Sequence, residues 1–439
     1  MNLPHHPPER ARSHGRVASG DERRRVAIPR RSTKGPLDAD VDDPLAESAP
    51  SIRPPIPQRE RVLSPTRSEA SPLSPHDGVK SPIVDMPPKD FSFMQDPQAY
   101  HVLPATNIPP PFLNAPNVPL VSAPLDVLLQ GGHYRLAAIA AARRIVSATA
   151  PTDHETLFHL VHVRLACLCL IAEHALAAQE SKVLGDLNST FYRHPLTDAH
   201  IVPWELRLLV VRLAALGYGE WRKGIMGYYE LARECRENLV KTGSDDGKPL
   251  WRTRLRDCGI RVANVLVEMG DLESAGRHLS TLSEAADSRE LLIMETLVWL
   301  RVGDMQAARR CLASASVIDS DEVVDGTLYA LLQLANSEYT NATLSFQALH
   351  RNHPENAMIT QNLAVCLLYT GHISEALELL LELVEDAPPF HSLVFNLSTI
   401  FELCTEKNRD RKVALTEKLA SRKTDGAVGW EIANADFKL

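Results

Sequence analysis

The chain has 439 residues, a formal net charge of −8, 44% apolar residues and only 5% aromatic residues. That length admits two or three domains or one long repeat array, and the Ala/Leu-rich, aromatic-poor balance argues against a β-sandwich. The acidic surplus gives no global drive toward nucleic acid, and no uncharged apolar run reaches the roughly 18 residues that a membrane-spanning helix needs.

From the N-terminus, 24 of the 31 prolines lie at or before Pro124. Apolar residues never settle into a sustained period there, so residues 1–124 read as a disordered Pro/Ser/Arg-rich arm that buries too little to offset the entropy of ordering. Its arginines at 23–25, 30 and 31 read as a solvated tail ahead of a nuclear address. Ser64, Ser71, Ser74 and Ser81 each precede proline and are candidate phosphorylation sites, where a phosphate would add about −1.5 to −2 charge. The cluster Phe91, Phe93, Met94 and Tyr100 reads either as a segment that folds onto a partner or as plain linker.

At Leu125 the character changes. Proline becomes scarce, helical periodicity sets in and no period-two alternation is present, which predicts an all-α chain. Residues 125–240 read as divergent helical hairpins. "LLQGGHYRLAAI" carries a glycine turn with Ala137 at the hairpin offset, and Leu206–Leu239 pairs around Gly217. The Gly/Asp/Pro stretch Lys241–Leu250 breaks the pattern before a repeat array over residues 250–439 with C-terminal capping helices.

The array shows itself by spacing. Ala275, Ala308, Ala342 and Ala376 recur at 33, 34 and 34 residues, and so do Ala263, Thr296, Ala330 and Ala364. Gly270, Gly303 and Gly371 mark the turns, with Ser337 replacing glycine once; Pro354 and Pro388 close two units. A 34-residue period with glycine at the turn, small residues at the helix crossing and proline at the end is the tetratricopeptide pattern, and it predicts about fourteen to sixteen helices. The residue types follow from packing. Two helices approach closely only across small side chains, Gly371 can end a first helix at positive φ, and a single hairpin cannot bury its own apolar face. The predicted fold is therefore a tetratricopeptide-type α-solenoid preceded by a disordered arm.

Searches for chemistry return little. His154 and His159 are five apart, so they miss the i, i+4 geometry of a zinc-binding helix. Cys167 and Cys169 point apart on a helix, and Cys366 sits in an apolar run as a structural thiol. Gly217–Gly224 lacks the Gly-Lys-Ser/Thr of a phosphate-binding loop. No catalytic, metal or cofactor site is expected. Seven cysteines without a paired framework, and the absence of a signal-type leader, suggest a cytoplasmic protein. First-helix positions that face the concave side supply a candidate partner groove: Arg301, Leu331, Gln361, Val365 and Tyr369, together with Asn264, Leu297 and Leu334. A chaperone-type carboxylate clamp has its asparagine in Asn264, but Ile260 stands where the clamp needs a cation. A free tetratricopeptide adaptor that captures short peptides is the alternative reading.

Five stretches in order, "LLQGGHYRLAA", "VPWELRLL", "LWRTRL", "NHPENAMITQNLAVCLLYTGHISEAL" and "HSLVFNLSTIFEL", resemble the tetratricopeptide subunit 12 family of the TRAPP membrane-tethering complex. The likeness covers most of the chain from Leu125 onward. It implies a non-catalytic scaffold subunit of a large cytosolic assembly in ER-to-Golgi vesicle traffic and autophagy. The implied partners are other TRAPP subunits and, indirectly, a Rab-family GTPase. The implied location is the Golgi or the ER-Golgi intermediate compartment, with membrane contact at most peripheral.

Overall fold

The computed structural model describes residues 89–241, 247–286, 288–422 and 429–439. The expected disorder of residues 1–88, the basic run and the four Ser-Pro sites lie outside them. Among the described residues the chain is all-α, without a strand and with one isolated bridge between Arg193 and His200.

A strap, residues 89–124, comes first. It carries turns at Ser92–Gln95 and Pro97–Ala99 and a single-turn helix α1 (Pro110–Leu113). Hairpins then follow: α2 (Leu125–Gln130) with α3 (Tyr134–Ser147), α4 (His154–Leu170) with α5 (His174–Ser181), and α6 (Trp204–Tyr218) with α7 (Trp221–Lys241). The regular array begins with α8 (Lys248–Met269) and α9 (Leu272–Ala286), then α10 (Arg289–Val302) and α11 (Met305–Ile318). It continues through α12 (Glu322–Ala335) and α13 (Tyr339–Asn352), α14 (Ala357–Tyr369) and α15 (Ile373–Asp386), and α16 (His391–Cys404) and α17 (Asn408–Ser421). A last turn is α18 (Asn434–Phe437).

Each unit is built from the residues the period picks out. Ala275, Ala308, Ala342 and Ala376 are fully buried, as are Thr296, Ala330 and Ala364, with Ala263 at 1% exposure. Larger side chains there would hold the helices apart. The turns need a left-handed residue: Gly270, Gly303 and Gly371 have φ of 88°, 91° and 85°. Ser337, the one non-glycine at this position, takes φ of 63° and carries the strain that glycine avoids. Pro354 follows the end of α13, and Pro388 follows the Ala387 cap of α15. Side chains seal several helix starts: Asp304 accepts from the Ala307 amide at 2.9 Å, and Asn356 from those of Met358 and Ile359.

Two expectations need correction. Gly217 is not the turn between α6 and α7. It lies inside α6, where a Cβ would come within 2.1 Å of Ala178 Cβ, and the turn is made by Gly219 with φ of 67°. Gly217 is there for close approach of two helices, which its neighbourhood in sequence does not distinguish from a turn. The arm also does not extend to residue 124, because residues 89–124 pack as part of the fold.

That strap is anchored at both of its ends. Phe91 is fully buried; its ring lies 5.3 Å from Phe158 and 5.8 Å from His154, and its amide donates to Pro151 O at 2.9 Å. Gln95 donates to Ile145 O and Thr149 O, capping open carbonyls at the end of α3. The aromatic cluster thus folds onto this chain's own hairpins. Beneath it, Arg164 and Glu180, 1% and 2% exposed, pair through two hydrogen bonds of 2.8 and 2.7 Å. Arg164 also donates to His101 O, and Glu180 accepts from the His101 amide, so a buried ion pair grips the strap backbone. Farther along, Phe112 packs 5.2 Å from Trp430 and 6.2 Å from Phe437, and Asn434 donates to Asn107 O and Thr106 O. The Trp430 amide donates to Gly132 O at 2.8 Å, and its ring lies 5.0 Å from His133. The C-terminal segment 429–439 therefore meets the strap through Trp430 and α18, and the α2–α3 turn through Trp430.

Candidate interaction groove

The first helices α8, α10, α12 and α14 line one side of the array. Between them lies a trough of about 700 Å³. Leu297, Met294, Leu331, Leu334 and Val267 form its walls, and Asn264 and Arg301 are its polar groups. At one end Tyr339 and Tyr369 stack with centroids 5.0 Å apart and planes within 5°. Tyr369 is 63% exposed and Met294 and Leu297 are about two-fifths exposed, a concentration of open apolar surface suited to another chain.

Arg301, Leu331 and Tyr369 are brought together here with Asn264, Leu297 and Leu334, as the helical spacing requires. Gln361 and Val365 are not part of the trough. Gln361 is buried and its amide donates to Ser392 O at 3.4 Å, because it lies two turns before Tyr369 and faces α16. Tyr339 was missed, since it opens a second helix while the spacing argument followed first helices alone; its place just after the Ser337 turn was the available signal. Ile260 is half-buried against the α8–α10 core, so the cation that a carboxylate clamp needs is missing at that position.

The thiols give no reactive group at the trough. Burial pushes Cys366 up to about 11, so it stays protonated at neutral pH. Charge is concentrated elsewhere, in a separate cavity of about 560 Å³ between the 193–204 loop and the α7–α8 hairpin. There Arg207 pairs with Glu234, and the Arg254 guanidinium lies 4.9 Å from both the Trp204 and the Trp251 ring centres.

The 33- and 34-residue hairpins and their left-handed turns define a tetratricopeptide-type α-solenoid with an open apolar trough along its first helices. The family model for the coatomer epsilon subunit matches residues 259–426. Trafficking protein particle complex subunit 12 of Mus musculus is 26% identical over 310 residues, which is 63% of this chain and 39% of that protein. The Homo sapiens protein of the same name is 25% identical over 309 residues, 62% of this chain and 42% of its own length. The chain is thus similar to the TRAPP subunit its motifs resemble, and it spans about two-fifths of the length of these curated relatives. Among solved structures, a tetratricopeptide repeat protein from Parabacteroides merdae matches with a TM-score of 0.37 at 13% identity, over 61% of this chain and 93% of that one. Yeast Tom70 matches with a TM-score of 0.35 at 12% identity, over 68% and 76%.

Proposed function

We propose that the chain is a non-catalytic scaffold subunit of a TRAPP-type tethering assembly, holding neighbouring subunits through its helical solenoid. The similarity to subunit 12 of the trafficking protein particle complex carries this reading. The open trough supplies a surface for it: apolar walls, one cation and a stacked tyrosine pair suit an apolar segment of a partner. In this role the chain works at the cytoplasmic side of ER-to-Golgi and autophagy membranes, reached through the complex, and the Rab-family GTPase is served by other subunits. Among the described residues no helix is long and apolar enough to cross a membrane.

Native pull-down of the tagged full chain from its own cells, followed by mass spectrometry, tests the proposal. Recovery of TRAPP subunits is expected, with Leu331→Asp or Tyr369→Ala lowering their yield several-fold while the helical signal stays unchanged. Recovery of chaperones alone, lost on Asn264→Ala, would overturn the scaffold reading in favour of a peptide-capturing adaptor.

A further inference from the structure

Away from the trough, two second helices present opposite charge to solvent. Helix α7 spans 21 residues where most second helices of the array span 14 or 15, so it is longer by about two turns. Arg222, Met226, Tyr229, Arg233, Arg236 and Val240 recur along it at spacings of four and three, and all six are exposed. Met226 is 59% and Val240 87% exposed, an unusual amount of open apolar surface on a helix. Among the described residues no carboxylate lies within ion-pair distance of Arg222, Arg233 or Arg236; the ion pairs formed on α7 are those of Glu234 with Arg207 and Lys223 with Glu220. The stripe therefore mixes basic and apolar residues, and its arginines have no ion-pair partner among the described residues.

Helix α15 is the complement. It carries Glu375, Glu378, Glu382, Glu385 and Asp386 and no basic residue. All five are exposed, with Leu381 exposed among them at helical spacing. Only Glu385 is ion-paired among the described residues, to Lys418. Run antiparallel, the two faces bring Arg222 to Glu385, Met226 to Leu381 and Tyr229 to Glu378, with Arg233 within one residue of Glu375, while Arg236 and Val240 run past the start of α15.

We propose that the α7 stripe of one copy docks on the α15 face of a second copy, joining chains through unlike patches. A helix, rather than an anionic bilayer, is the occupant that fits. The stripe is one helix wide and is flanked by the exposed Glu230 and Glu237, which an anionic sheet would meet but a contact one helix wide leaves aside. A partner helix only a few residues across feels chiefly the stripe, because exposed charges are screened beyond about 8 Å in physiological salt. Contact between unlike patches is heterologous, so it builds chains or rings of subunits in preference to an isologous pair.

Sedimentation velocity of the full chain over a concentration series, at low and high salt, tests this. Association that rises with concentration and falls with salt is expected. Arg233→Glu with Arg236→Glu, and separately Glu375→Lys with Glu378→Lys, should each weaken it by about tenfold or more. Mixing the two double variants should restore association, because each then meets its opposite charge. All four positions are exposed, and circular dichroism verifies that the variants remain helical. A chain that stays monomeric at every concentration, or self-association indifferent to both charge reversals, overturns the proposal, as does failure of the mixture. Binding of the monomeric chain to phosphatidylserine vesicles, lost with Arg233→Glu and Arg236→Glu, would assign the stripe to a lipid surface instead.

Discussion

The strap and first hairpins, residues 89–203, are held differently from the array between α8 and α16. The array repeats one solution: a small residue at each crossing, a left-handed residue at each turn, and contacts chiefly to adjacent helices. The strap region has no period. It is fixed by single, long-range contacts such as Arg164 with Glu180 and His101, Phe91 with Phe158, and Phe112 with Trp430. Repetition spreads stability over many equivalent places, whereas the strap concentrates it in a few side chains that nothing replaces.

Breaking the buried pair should show the largest effect. Arg164→Met removes the guanidinium partner of the buried Glu180 beneath the strap and should cost about 3–5 kcal/mol, while Arg164→Met with Glu180→Leu should recover much of that loss. Urea denaturation of the three proteins measures it. A single-variant cost below about 1 kcal/mol would show that the pair does not anchor the strap.

A second effect depends on pH. Glu431, beside Trp430, has its carboxyl raised from an ordinary value of 4.5 to about 7 by burial, with Arg135 acting in the opposite direction. The folded state holds this proton more tightly than the unfolded state. The contact between Trp430 and the α2–α3 turn is therefore strongest below pH 4.5, weakens as pH rises toward 7 and is weakest above it. Partial solvent access trims the roughly 3 kcal/mol limit of such a shift to about 2 kcal/mol. Hydrogen exchange of the Trp430 amide reads the opening. It should speed up with pH beyond its chemical dependence in the parent, and lose that excess in Glu431→Gln, which should be the tighter form at pH 8.

The smallest effect belongs to the array. Gly371→Val places a β-branched residue at φ of 85° and should lower stability by about 1–2 kcal/mol, although nothing lies within 4 Å of the added Cβ. Ser337→Gly should raise stability by up to about 1 kcal/mol, by relieving the array's non-glycine left-handed turn. Thermal melts of both compare them directly; equal melting temperatures would mean that turn conformation contributes little to holding the units together.

The same contrast explains what could be read from the residues. Ala364 and Gly371 announce themselves because their neighbours 34 positions away do the same job, so the solenoid and part of its trough follow from spacing. Tyr339 and Gly217 escape because each is singular: one opens a second helix, and the other permits the approach of α6 to Ala178. The strap escapes most fully. Its prolines suggest disorder, yet its Gln95 side chain caps α3 and its backbone at His101 is bound by Arg164 and Glu180, partners 50 to 79 residues away. No local period can encode such pairs.

The Phe112–Trp430 contact also sets an order in time. Phe112 leaves the ribosome 318 residues before its partner, so at about 5–20 residues per second it waits roughly 15 to 60 seconds. The hairpins can form one after another as they emerge, each on the one before. The strap's second anchor is the exception: it is completed only once Trp430 has emerged, so Phe112 reaches its final place after the hairpins that lie between the two.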